Sequence, residues 1–370
     1  MAYLVCFAAS TALAYFANKS KKPKLFWLLF VLSILVPVML AALRDWSVGT
    51  DTMNYYTMPR FWAGAISAES LGAYLKYYVS LGYKEYAFAF FCGIIARIFR
   101  SYGVFLFLAH AVIITSVHVG AFRMKRYANP ALVLLLFYLM YYNASLNILR
   151  QFMAMGIVFA FSADLELGKY VRYLLAVLFA SLIHTTALLA VVPLALSIIL
   201  YTKRFLDWST HKRMIALCAL VVVGALCFIP ITKFLIRISV IPAKYSFYFQ
   251  NEVSQYSKTR LALRFLEILV LCICYKKLKK RNKHTEFYVV NTVLFLAMLQ
   301  ISNFIVYGQR IATHFALTNI VTIAMLPRCY EDKRIRYIFI AIIVALISYY
   351  WYHTYVLGGA NGTIPYAFKS

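Results

Sequence analysis

The chain has 370 residues, 64% of them hydrophobic, with a mean hydropathy of +0.75. A soluble domain carries about 45–50% apolar residues, so a water-soluble globule is excluded. The formal charge of +26 does not mark a nucleic-acid binder, because the basic residues lie in short loops between apolar blocks and form no basic, aromatic groove; anionic lipid is the partner such loops meet.

Apolar blocks recur at lengths near the roughly 20 residues that cross a bilayer as a helix. They predict an all-α polytopic membrane protein with about twelve spans: 2–17, 25–43, 103–122, 130–145, 149–164, 170–183, 186–200, 213–232, 261–275, 286–306, 311–326 and 336–356. Several are short or broken, notably 170–183 and 186–200. Ala12-Leu13-Ala14 has the look of a signal-peptide cleavage site, but no Lys or Arg precedes the block, so 2–17 reads as an uncleaved first span. No linker, low-complexity run or internal repeat interrupts the pattern, which predicts one transmembrane domain over 1–370. The seven cysteines are scattered, and Cys272-x-Cys274 lacks zinc-site spacing, so no disulfide framework and no metal are expected.

Loops 18–24, 123–129, 165–173, 201–213, 276–284 and 327–336 hold 23 of the 38 basic residues. The positive-inside rule places them in the cytoplasm. The long connections 44–102 and 233–260 then lie outside, with both chain ends on that side. Residues 86–99 are apolar but short. If they crossed, every later loop would change sides, so they read as re-entrant or interfacial, as does 60–82, where Arg60, Glu69 and Lys76 sit among aromatics.

Polar residues at membrane depth are costly and become functional candidates. Those predicted at outer span ends are Arg44, Asp45, Asp51, Arg150, Gln151, His184 and Arg310. Arg44 and Asp51 flank a turn at Gly49, where Asp51 can pair with Arg44 or another arginine, or the two simply end a helix. Asn143, Asn147 and Gln151 recur every four residues, a polar stripe expected to face a cavity. His184 sits where two short blocks meet, and a histidine there suits proton transfer or plain packing. His110 and His118, within one span, read as packing or hydrogen bonding across helices. Arg310 follows Gly308 between two spans and reads as a ligand or a headgroup anchor. Arginine forks match phosphate oxygens. The chain has no carboxylate pair suited to a glycosidase, no Gly-rich phosphate loop and no metalloprotease or esterase motif. A phosphorylated lipid handled without nucleotide, metal or other cofactor fits this set.

Four stretches resemble the EpsG family, relatives of the Wzy polymerases of O-antigen, lipopolysaccharide and exopolysaccharide. Arg44, Val48, Gly49, Thr50, Asp51 and Tyr55 are similar to the family's motif near the second span. Asn147, Arg150, Gln151 and Ala154 are similar to a second motif. His184 with Thr185 and Thr186 is similar to a third, and Arg310 with Ile364-Pro365-Tyr366 to a fourth. The resemblance implies a glycosyltransferase in the bacterial inner (cytoplasmic) membrane. It would transfer a growing glycan from undecaprenyl diphosphate to a lipid-linked repeat on the periplasmic or external face. It implies His184, Arg150 and Arg310 as catalytic residues and Arg44, Asp51, Gln151 and Tyr55 as substrate-binding ones. The expected partners are the undecaprenyl-diphosphate-linked oligosaccharide, membrane lipids, and a chain-length regulator and flippase of the same pathway. A membrane O-acyltransferase and a lipid-linked oligosaccharide flippase are the competing readings.

Overall fold

The computed structural model describes residues 1–202, 208–238, 258–301 and 308–369. Among them the chain is helical without a strand: α1 (Ala2–Lys19), α2 (Pro23–Ala42), α3 (Thr52–Thr57), α4 (Trp62–Ser67), α5 (Leu71–Ser80), α6 (Tyr86–Phe99), α7 (Tyr102–Arg123), α8 (Pro130–Phe137), α9 (Asn143–Asn147), α10 (Leu149–Phe161), α11 (Ala163–Glu166), α12 (Tyr170–Ser181), α13 (Val191–Tyr201), α14 (Thr210–Arg237), α15 (Lys258–Arg281), α16 (Thr285–Ile301), α17 (Gly308–Met325) and α18 (Lys333–Trp351). Among the described residues, five helical stretches are long and apolar enough to cross a membrane: Pro23–Ala42, Tyr102–Arg123, Pro130–Asn147, Thr210–Arg237 and Lys333–Leu357. The protein is an all-α polytopic membrane protein. Each predicted block is helical where it is described; the end of 286–306 and most of the connection 233–260 lie outside the described residues.

The helices gather into two compact units, Met1–Leu188 with Tyr337–Ser370, and Leu189–Arg336. In the first unit, Pro37 lies inside α2 and has no N–H, which orphans the carbonyl four residues back. Ser10 of α1 donates its hydroxyl to that Ser33 carbonyl at 2.5 Å and also meets the Tyr138 hydroxyl at 2.7 Å. A helix-breaking residue thus becomes a tether between three spans. Glycines let α7 and α10 approach closely: a methyl at Gly120 would strike the Phe159 ring, and one at Gly156 would press on Ser116. The span 130–147 continues through a π-helical turn at Tyr138–Tyr142 and stops at Ile148, whose ψ of 55° ends α9 before α10 begins.

Between α2 and α7 run α3 to α6. At 1.5 Å per residue the 14-residue α6 reaches about 21 Å, short of a hydrocarbon core of about 30 Å. It packs on α4, α5 and α7, with Gly93 close against Leu71 and Tyr74.

In the second unit Arg213 of α14 donates to the Leu200 and Trp208 carbonyls at 2.9 Å each, closing the end of α13. Asn319 of α17 donates to buried Glu267 of α15. The loops rich in Lys and Arg carry ion pairs of their own: Arg123–Asp164 at 2.6 Å, Arg126–Glu166 at 3.5 Å, Arg281–Glu331 at 3.2 Å, and Lys279–Glu286.

Candidate functional site

Two helix ends meet in the first unit. The carbonyl of Leu182, just beyond the end of α12, accepts the backbone N–H of Ala87 at 2.9 Å and of Phe88 at 3.4 Å, both in the first turn of α6. This clasp satisfies orphan N–H groups that no side chain caps. It also fixes Glu85, two residues before Ala87, beside His184, two residues after Leu182.

Glu85 is 9% exposed and stands at the centre of the cluster. Its Oε1 accepts the Thr185 hydroxyl at 2.9 Å and lies 4.0 Å from His184 Nδ1. Its Oε2 accepts the Tyr78 hydroxyl at 3.4 Å and lies 3.8 Å from Arg150 Nη1. Arg150 is the second residue of α10, set there by the break at Ile148. Its guanidinium lies 4.9 Å from the Phe61 ring and 5.5 Å from the Phe88 ring, with Tyr55 and Tyr78 beside it. Its Nε and Nη1 make no hydrogen bond. Arg60 lies 4.9 Å from the same Phe61 ring and donates to the Tyr83 hydroxyl. Two guanidinium groups therefore border one buried phenylalanine, with one carboxylate and one imidazole alongside.

Among the described residues no group of three His, Cys, Asp or Glu could hold a metal ion. The chemistry open to this cluster is anion binding by guanidinium and proton transfer by imidazole.

The model of the EpsG family matches residues 11–368. The chain belongs to the EpsG family. The family is that of the Wzy-type polymerases, so the protein is a multi-pass membrane protein of the polysaccharide-polymerase type. No curated protein and no solved structure matches the chain.

Within this EpsG-family chain, the structure brings Arg150 and His184 together and adds Tyr55, which is buried against Phe61 with ring centroids 4.9 Å apart. Gln151 is buried on α10. Arg310 belongs to the second unit, exposed in the first turn of α17.

Arg44 stands elsewhere. It is 2% exposed, and its Nη1 and Nη2 donate to the carbonyls of Ala41 at 2.8 Å and Leu146 at 3.1 Å, with His110 Nε2 3.4 Å away. Its fork is given to backbone rather than to Asp51. His110 and His118 are fully buried, each with Nδ1 2.8 Å from the carbonyl four residues earlier. Asp51 precedes α3, and its N–H donates to Asn147 Oδ1 at 3.3 Å. Asp45 is tied by the Ser47 N–H at 3.0 Å and hydroxyl at 2.7 Å, which hold its carboxyl below the usual carboxylate range.

Asn143 and Asn147 of the polar stripe grip a strap, residues 359–369, rather than face open space. Asn147 donates to the Asn361 carbonyl at 2.7 Å and Asn143 to the Thr363 hydroxyl at 2.9 Å. The strap returns these contacts to the motif loop: Gly49 N–H donates to the Gly362 carbonyl at 2.8 Å and Asp45 N–H to the Ala367 carbonyl at 2.9 Å.

Sequence reasoning missed Glu85. An acid directly before an apolar helix reads as a complement to the helix dipole, and only the distant Leu182 contact gives it cationic neighbours. Arg60 was legible as a charge among aromatics, but as an interfacial anchor.

Proposed function

We propose that the protein joins glycan repeats on the external face of the bacterial cytoplasmic membrane. The donor is a growing glycan on undecaprenyl diphosphate and the acceptor a lipid-linked repeat. The observation that carries this reading is the convergence of Arg150 and His184 around Glu85, at helix ends that the loop charges assign to the outer side.

His184 takes the proton of the acceptor hydroxyl. The hydroxyl oxygen bonds to the anomeric carbon as the bond from that carbon to the diphosphate oxygen breaks, and the electron pair leaves with the lipid diphosphate. Attack from the face opposite the leaving group inverts the anomeric centre. Arg150 neutralises the departing diphosphate, and electrostatic stabilisation of this kind supplies much of the catalysis. Asp51, Gln151 and Tyr55 contact the acceptor glycan, and Arg44 supports the site from within the helix packing. No nucleotide sugar takes part. A flippase and a chain-length regulator of the same pathway are its partners.

The test is chain growth by purified protein in detergent, given lipid-linked repeats and chelator and no nucleotide sugar. Wild-type protein is expected to lengthen the glycan and His184→Ala to leave single repeats. Absence of growth by the wild type, with acetyl transfer to the glycan instead, overturns the reading.

A further inference from the structure

We propose that Glu85 is a positioning residue of the transfer site: its carboxylate orients the His184 imidazole and balances the charge that the ring gains with the acceptor's proton. This rests on the transfer reaction proposed above.

Four side chains meet the carboxylate, and they divide by kind. The two that hydrogen-bond to it, Thr185 and Tyr78, are neutral hydroxyl donors at 2.9 and 3.4 Å. The two that can carry positive charge, His184 and Arg150, stand at 4.0 and 3.8 Å, outside hydrogen-bond range and inside ion-pair range. The hydroxyls thus hold the carboxylate in place beside both basic groups.

The ring nitrogen that faces Glu85 is Nδ1. The other, Nε2, lies across the ring, and in the reaction proposed above it is the nitrogen that takes the acceptor's proton. When that hydroxyl gives its proton to Nε2, its oxygen bonds to the anomeric carbon and the diphosphate leaves with the bonding pair. The imidazole becomes an imidazolium, Nδ1–H faces an ionised Glu85, and the pair changes from one negative charge to none. The proton then passes to water and the pair resets. An imidazolium on a side chain that is largely withdrawn from solvent is costly without a counter-charge, and Glu85 supplies one.

The backbone separates this role from a structural one. The clasp between Leu182 and the first turn of α6 uses only main-chain atoms, so Glu85→Gln keeps the clasp, the shape and an acceptor for Thr185 while removing the charge.

The experiment measures kcat and KM for chain growth, with thermal unfolding, for wild type, Glu85→Gln, His184→Ala, the double variant and Thr185→Val. Glu85→Gln is expected to lower kcat about 10²-fold, the lower end of the contribution of a general base, with little change in KM or in unfolding. The double variant should be no slower than His184→Ala alone, because a residue that acts through another adds nothing once that one is gone. Thr185→Val should show a smaller loss of the same kind. Wild-type kcat in Glu85→Gln, beside an inactive His184→Ala, overturns the Glu85 role alone. So does a double variant slowed by the product of the two single effects. Near-normal growth by His184→Ala removes the base assignment itself, and the proposal with it.

Discussion

Arg44 sits in the stretch that most resembles the family motif, yet it lies inside the helix packing, and replacing it with lysine separates support from binding. The arginine fork spans two carbonyls, Ala41 at 2.8 Å and Leu146 at 3.1 Å, on different helices. An ammonium is a single point and keeps one of them. A hydrogen bond from a charged donor contributes about 1.5–3 kcal/mol, so Arg44→Lys should destabilise the first unit by that amount. At about 2–4 °C per kcal/mol for a body of this size, the unfolding midpoint should fall by about 3–12 °C. The assay follows unfolding of purified protein in detergent by tryptophan fluorescence, with KM for the lipid-linked repeat measured well below the midpoint. Arg44→Lys is expected to melt earlier and to bind the repeat with unchanged KM. An unchanged midpoint with a raised KM would refute the reasoning and make Arg44 a substrate ligand.

Arg150→Lys should behave in the opposite way, keeping its melting point while kcat/KM for chain growth falls about 10–150-fold, the equivalent of one charged hydrogen bond. Gly49 has φ +101°, and a Cβ there would lie 2.5 Å from Asn147 Oδ1. Gly49→Ala should cost about 1–3 kcal/mol from the backbone alone, and the double variant with Asn147→Ala should lose less in unfolding midpoint than the two single losses added, because the collision is counted once. Asp164→Asn should destabilise by about 1–3 kcal/mol, between the values for exposed and buried pairs, since Asp164 is buried while the Arg123 side chain is 27% exposed; an unchanged midpoint would mean that the pair adds nothing. For topology, with native cysteines replaced, an impermeant maleimide should label Ser80→Cys in intact cells and Lys280→Cys only after permeabilisation, and the reverse would invert the outer site.

Span positions were legible because apolar length is a one-dimensional property, and the bilayer imposes it directly. The short and broken blocks were legible for the same reason: the pattern of His184 between two short runs became the turn after α12. Side-chain partners were not, because they depend on contacts between distant parts of the chain. Spacing alone turned Asn143 and Asn147 toward a cavity, but the strap at 359–369 fills that place and consumes their amides. Arg44 looked like a surface ligand because it follows a span, and the hydrogen bond to Leu146 that draws it inward crosses about a hundred residues. Glu85 and His184 are as far apart in sequence, and the main-chain contact at Leu182 and the Thr185 hydroxyl bring them together.

The strap has a consequence for biogenesis. Three backbone N–H groups of the loop from Asp45 to Thr52, those of Asp45, Gly49 and Thr50, donate to carbonyls of residues 361–367, which are translated roughly 310 residues later. At about 5–20 residues per second, those three groups wait for about 15–60 seconds for these partners. The loop's final shape therefore follows the synthesis of residues 361–367. A chain that stops short of residue 361 lacks the carbonyls that Asp45, Gly49 and Thr50 donate to.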